Sequence, residues 1–335
     1  MRLSLSATLA SFLVLSLAGP ASGAKLRVPK AYGTIQAALD AAGFGDVVEV
    51  SKGTYSEDLT ITQKSGVTLR ARGKDKVIVK AVVGPALAIE MSAEILVKRI
   101  RFRGGVSLGV LIESSNAVSI RNCRFKEFSD AGVRVDDTSL TCLIEGCKIA
   151  GTKWGVHLRE GMFHTVRGCT FESTTDWAVI LGSGVVANLT NCFVADNEMI
   201  GCYGGVGGFK VSQCEVVGNR VVGSELYGVF ARDDCSAITV RDCVVKNAGH
   251  SGILMQAPSS TIHDNRSKGA LWAGIRIDHA CLASSIVGNK SKKNGQHGFA
   301  VYGTLNVFTG NHASQNGGLN LFDPTGQNSY SGNDF

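Results

Sequence analysis

The sequence predicts an all-β protein, a right-handed parallel β-helix (solenoid) with a short N-terminal capping helix, on three observations. One short motif returns at an interval of about two dozen residues. A second strand, opened by a small residue, alternates with it. Nothing between the two reads as a helix, and the one amphipathic helical pattern lies near the start of the chain.

The repeated motif aligns on Cys123, Cys147, Cys169, Cys192, Cys214, Cys243, Asn265, Asn289, Asn311 and Asn333, with steps of 24, 22, 23, 22, 29, 22, 24, 22 and 22 residues. A period held over ten copies marks a solenoid. The second strands are Gly132–Asp136, Gly155–Arg159, Ala178–Leu181, Gly228–Ala231, Gly252–Met255, Gly274–Asp278, Gly298–Val301 and Gly318–Leu321. Alternation turns Val133 and Val135, Val156 and Leu158, and Ile275 and Ile277 inward. An ordinary parallel sheet needs crossovers of a dozen or more residues, and these links are too short. Coiling the chain removes the difficulty, because each strand pairs with its equivalent one turn away. Coils about 4.8 Å apart make the stretch from Cys123 to Asn333 on the order of 40 Å long. The Leu-x-x-Leu-x-Leu frame of a leucine-rich repeat is absent.

The helical pattern serves the first coil. Thr34 stands where a helix cap belongs, and Ile35, Ala38, Leu39 and Ala42 share one face. An open coil is a sheet edge that other chains can extend, so this helix is expected to plug it. Asp46–Val50, Gly53–Tyr55, Leu59–Ile61 and Val67–Leu69 read as the first strands. Before the cap, Arg2, an apolar run over Leu3–Leu17, Pro20 and the small residues Ala21–Ala24 describe a secretory signal peptide over residues 1–24. Residues 25–335 then form a single domain, with the cap at about 25–70 and repeats at about 95–335. The expected location is secreted or periplasmic, with no membrane span, because no second long apolar run follows. The net charge of +6 suits an acidic partner. No nucleic-acid partner is expected, because no Lys/Arg cluster of that kind is evident.

Ten cysteines in an exported chain suggest disulfides. Six of them, however, share a repeat position with asparagine. Such a position is small, inward and at a turn, where Asn bonds neighbouring backbone and Cys is a compact buried hydrophobe. Side chains stacked in parallel keep their Cβ atoms near the coil spacing, wider than most bridges accept, so free thiols are expected. No spacing of ligands suggests a bound metal.

The segment Thr34–Ala42, then Gly45–Val50, then Gly53–Tyr55, is similar to the N-terminal opening of pectin methylesterases and of NosD-type carbohydrate-binding β-helices. With the repeats, the chain resembles the pectate-lyase-like superfamily over nearly its whole mature length. The resemblance implies the fold and a carbohydrate context. It transfers no catalytic residue, because the catalytic motifs of pectin methylesterases, pectate lyases and polygalacturonases are missing, and fold alone does not give function.

Candidate chemistry sits on the outward positions of the second strand. One column reads Leu111, Arg134, His157, Ile180, Phe230, Leu254, Arg276, Ala300 and Asn320. The next reads Glu113, Asp136, Arg159, Gly182, Arg232, Gln256, Asp278, Tyr302 and Phe322. A first polar group, Arg134, Asp136, His157 and Arg159, suits proton abstraction beside a uronate carboxylate. His157 would be the base, and an arginine would hold the carboxylate. The plainer alternative is an exposed ion pair between Asp136 and Arg159 that contributes little. A second group is Arg232, Arg276 and Asp278. Trp154, Trp177, Tyr203, Tyr227 and Trp272 read as an aromatic strip able to stack sugar rings, or else as a cover for the core edge. Ca²⁺ would find oxygens at Asp136-Asp137 and Asp233-Asp234, which also read as solvated turns. The sequence thus points to a binder of extracellular acidic polysaccharide. The alternatives are a polysaccharide lyase or epimerase, and a structural surface solenoid.

Overall fold

A computed structural model describes residues 23–105, 107–183, 185 and 189–335. The signal-peptide assignment therefore falls almost wholly outside the described residues. From Lys25 onward the chain is a parallel β-solenoid of three long sheets. Sheet A has 14 strands, from Lys25–Val28 to Ser329–Ser331. Sheet B has 12, from Gly53–Ser56 to His312–Ser314, and sheet C has 12, from Leu59–Thr62 to Leu321–Phe322. Every described pairing is parallel and joins a strand to its equivalent one turn away, as in Val110–Glu113 with Ala131–Asp136. At about 4.8 Å per coil, sheet A runs about 60 Å.

The register strand divides into a sheet A strand and a sheet B strand on either side of the Cys/Asn turn. Inward residues alternate as the sequence predicts, and Val133, Val135, Val156, Leu158, Ile275 and Ile277 are fully buried. Phe102 and Phe125 stack inside sheet B, 5.2 Å apart. The plug is helix Ile35–Ala41, with Thr34 Oγ1 accepting the Ala37 N–H and Ile35, Ala38 and Leu39 facing the first coils.

The structure corrects the repeat alignment in its middle. Thr170–Glu172 pairs with Glu198–Ile200, and that strand with Arg220–Val222. The ladder therefore runs Cys169, Asn197, Asn219, Cys243. Cys192 and Cys214 precede sheet A strands and continue a different turn, Cys142, His164, Cys192, Cys214. One coil is long because residues 182–188 link strand Trp177–Leu181 to Leu189–Thr190, whereas Gly204–Gly208 and Val211–Ser212 are two residues apart. The alignment on Cys places that insertion two steps late, between Cys214 and Cys243. It also passed over the strand Gly204–Gly208, which has no apolar alternation. At the far end the register shifts by two: Phe322, not Asn320, continues the column above Ala300.

Cys and Asn do the same work at the true ladder. Cys243 Sγ donates to Val216 O at 3.5 Å, and Asn265 Nδ2 donates to Val240 O at 2.8 Å, the equivalent carbonyl one coil on. Each Asn also accepts a backbone N–H from the neighbouring coil, as Asn265 does from Cys243 at 2.9 Å. All ten cysteines are unpaired and buried. Burial pushes the Cys142 thiol up to about 12 and those of Cys235, Cys243 and Cys281 to about 11, so these stay protonated at neutral pH. Alkylation of native protein without reductant is expected to label none of the ten, and alkylation in denaturant all of them. Mass analysis that finds three or more disulfides would overturn this assignment.

Candidate functional site

The outer face of sheet C is a track of eight coil steps, from strand Ala131–Asp136 to strand Leu321–Phe322. Its central column is Arg134, His157, Ile180, Gly207, Phe230, Leu254, Arg276, Ala300 and Phe322, each paired with the next. Outward on the sheet does not mean exposed. Neighbouring side chains fold over the strand, so His157 is 5% exposed, Asp136 4% and Leu254 3%.

The structure gathers Arg134 and Arg159 around the buried Asp136 carboxylate, while His157, buried beside them, bonds elsewhere. Asp136 accepts from Arg134 Nε at 2.8 Å and lies 3.3 Å from Arg159 Nη1. Arg134 also reaches Asp130 at 3.1 Å. This corrects the exposed-pair reading of Asp136 and Arg159. A carboxylate removed from water must be matched by its partners, and here two guanidinium groups match it. His157 Nε2 lies 3.2 Å from the Gly182 carbonyl, so Nε2 carries the proton and Nδ1 keeps a lone pair. Burial, then the charges of Arg159, Arg134 and Lys153, hold the His157 pKa down to about 4, against the one favourable bond to Gly182. The ring is neutral at pH 7. Trp154 covers it edge-on with ring centroids 4.7 Å apart, and Lys153 Nζ sits 4.1 Å from the Trp154 ring. Three buried polar atoms here have no partner: Asp130 Oδ1, Trp154 Nε1 and His157 Nδ1.

The aromatic strip is two adjacent columns. Trp177 pairs with Gly204, so Tyr203 stands one position earlier and not over Trp177. Trp177 is 5% exposed and lies across the glycine strand. A Cβ at Gly204 would come within 2.3 Å of its ring, and one at Gly207 within 2.7 Å. The glycines are thus a seat for an indole, and Trp177 is a packing residue, stacked on Phe230 at 5.9 Å.

Beyond Phe230 the rings form a continuous, half-buried ribbon. Tyr227 meets His250 at 5.1 Å, His250 meets Trp272 at 5.3 Å, and Trp272 lies 9° from parallel to Tyr302 at 6.4 Å. Tyr302 then meets Phe322 at 5.7 Å. Arg276 lies in this ribbon, its guanidinium 4.6 Å from the Trp272 ring and 5.2 Å from Tyr302. Asp278 holds Arg276 at 3.1 Å. Burial raises the Asp278 pKa, but the Gln256 amide, the His279 N–H and Arg276 together bring it below the usual carboxylate range. Arg276 Nε is buried and without a partner. Arg232, grouped with Arg276 from sequence, is apart from it and pairs with Asp234 over the Phe209 ring. Sequence reading missed His250 and Tyr302 as members of the ribbon, because they extend it from turns and from the second column.

Neither Asp pair considered for Ca²⁺ is free of cations, since Arg134 and Arg159 take Asp136 and Arg232 takes Asp234. Among the described residues no group of three or more His, Cys, Asp or Glu could hold a metal ion. No helix among them is long and apolar enough to cross a membrane.

No curated protein matches the chain. Among solved structures it is similar to a mannuronic acid specific polysaccharide family 6 lyase from human gut microbiota, at 12% identity and a TM-score of 0.68, covering 89% of this chain and 82% of that one. It is also similar to a mutant of a periplasmic alginate epimerase, at 13% identity and a TM-score of 0.56, covering 93% and 84%. A third is a GH136 lacto-N-biosidase from Eubacterium ramulus, at 12% identity and a TM-score of 0.61. The chain covers 90% of itself in that match but spans only 64% of the biosidase. At such identities the likeness is one of fold. The right handed beta helix region family matches over residues 50–183 and 108–270, which together span most of the coils described above, and the chain belongs to that family.

Proposed function

We propose that the protein binds a linear acidic polysaccharide along the outer face of sheet C, with the ribbon from Tyr227 to Phe322 as its main seat. The observation that carries this reading is Arg276, held by Asp278 between two nearly parallel rings. Ring faces stack on the apolar C–H faces of sugars, and the Arg276 guanidinium places a positive charge among them that attracts a carboxylate. The names of two structural neighbours, a mannuronic acid specific lyase and an alginate epimerase, support an acidic glycan. Export rests on the leader-like residues 1–24, and N-terminal sequencing of protein recovered outside the cytoplasm tests it.

Trp272→Ala is expected to weaken binding of oligouronates by about 30-fold, the scale of about 2 kcal/mol for losing an aromatic anchor. Titration calorimetry reads this, with the melting temperature as the control for folding. An unchanged affinity would move the seat elsewhere.

A lyase or epimerase reading keeps one favourable observation, the unpartnered lone pair of His157 Nδ1 beside two guanidinium groups. That nitrogen is buried, so the ring would have to be uncovered before it could take a proton. The test is ultraviolet detection of unsaturated uronates together with deuterium uptake from solvent into the sugar. Neither signal from the parent protein ends this reading. If one appears, His157→Ala should lower it by about 10²–10⁴-fold.

A further inference from the structure

Sheet B carries its own charged face, on the opposite strand of the repeat from the site above. In sheet A, stacked cations are interspersed with carboxylates: Lys98 stands between Arg70 and Arg121, but Arg70 pairs with Glu49 at 3.0 Å, Glu145 stands between Arg121 and Arg167, and Glu215 reaches Arg241. The C-terminal part of sheet B stacks cations with no carboxylate between them. Lys246 stacks on Lys268 and Lys268 on Lys292, while Arg266 stacks on Lys290. Residues two apart on a strand point the same way, so these five cations share one outer surface over three successive coils. None of the five has a carboxylate partner among the described residues, although Arg220 and Arg241 nearby each do. They line a shallow groove of ≈ 550 Å³. Like charges placed directly opposite are destabilising, and a coil stack repeats the contact at every turn.

An N-terminal counterpart, with Arg101, Arg124 and Lys148 in one column and Arg103 and Lys126 in the next, differs in one respect. Glu127 reaches Lys126 at 2.8 Å and Arg103 at 3.9 Å. The C-terminal face keeps its charge unmatched.

We propose that Lys246, Arg266, Lys268, Lys290 and Lys292 form a second binding face that takes consecutive anionic groups of a linear acidic polysaccharide by charge alone. The cations repeat in two straight columns at about 4.8 Å, which suits an extended chain bearing one anion per unit. No ring stands among them to stack a nucleobase, and the one helix among the described residues, Ile35–Ala41, lies at the N-terminal end of the stack. The face has no aromatic contacts in common with the Tyr227–Phe322 ribbon, so the two can be tested separately.

Immobilised polygalacturonate is the probe, with dextran as the neutral control and oligothymidylate and phosphatidylserine vesicles as competing anions. Lys268→Glu with Lys292→Glu changes two exposed side chains, and an unchanged melting temperature checks the fold. At about 20 mM salt, where screening is weak, the double variant should bind polygalacturonate at least about ten-fold more weakly than the parent. The parent's affinity should fall steeply with added salt and the variant's much less. Trp272→Ala should keep that salt-sensitive part of the affinity, even if the sheet C reading fails. Equal binding by the double variant and the parent overturns the proposal. Capture of vesicles or oligothymidylate in preference to polygalacturonate overturns the glycan assignment.

Discussion

Leu39→Asp is expected to leave little or no soluble, folded protein. Leu39, Ile35 and Ala38 are fully buried on the first coils. The helix that carries them is only seven residues long, too short to hold together alone. Side chains from the coils secure both its ends. Glu57 accepts from the Ile35 and Gln36 N–H groups at 3.1 and 3.0 Å, and Lys64 Nζ donates to the Asp40 and Ala42 carbonyls at 2.9 and 2.8 Å. The cap is thus built into the first coils. Losing the buried leucine costs about 2–3 kcal/mol, and an unpaired buried carboxylate adds several more. The sum approaches the roughly 5–15 kcal/mol that holds a typical domain folded. The chain can avoid the cost by expelling the helix, but that uncovers strand edges at the N-terminal end, which recruit other chains. Soluble yield and size-exclusion profile at several concentrations read the outcome. Leu39→Ala, expected to cost about 2–5 kcal/mol, gives a graded variant that still folds. If Leu39→Asp is as soluble and as heat-stable as the parent, the helix does not seal the stack.

The sequence reveals this fold because each coil must place a small residue at the same turn. Cys123, Cys147 and Asn265 through Asn333 repeat cleanly for that reason. It fails where a coil is longer: residues 182–188 shift the spacing, and Cys192 and Cys214 fall by chance near the expected interval. The glycine strand at 204–208 is invisible to periodicity, because its purpose is to leave room for the ring of Trp177, which lies some thirty positions earlier in the chain. The candidate residues on sheet C were legible as columns, but their burial was not. Alternation says which side of a strand His157 and Asp136 occupy, whereas Trp154 and two arginines decide whether water reaches them. The cations of sheet B flank the inward residue of single motifs, as Arg266 and Lys268 flank Ser267 and Lys290 and Lys292 flank Ser291. They become a face only when the register stacks them.

Acid is expected to destabilise this protein well above the pH at which most carboxylates protonate. His157 and His164 are both buried, and burial holds each pKa down to about 4. His164 is fixed by accepting the Cys142 N–H at Nδ1, 3.2 Å away, and by lying 3.1 Å from the Glu160 carbonyl at Nε2. Protonating it would sacrifice the first bond and bury a charge. In the unfolded chain both rings titrate near 6.5. Between about 6.5 and 4 the unfolded state therefore holds more protons, and stability falls as pH falls through that window. Between pH 7 and 5 the loss is about 2 kcal/mol for each histidine. The urea midpoint measured across that range reads it. His164→Cys is the discriminating variant, because His164 lies between Cys142 and Cys192 in the same turn ladder, where a thiol fits. It should remove about half of the pH dependence while leaving the fold intact at pH 7. A slope between pH 7 and 5 identical to the parent's would show that His164 takes up its proton without leaving the folded state, and that burial at this turn does not keep the ring neutral.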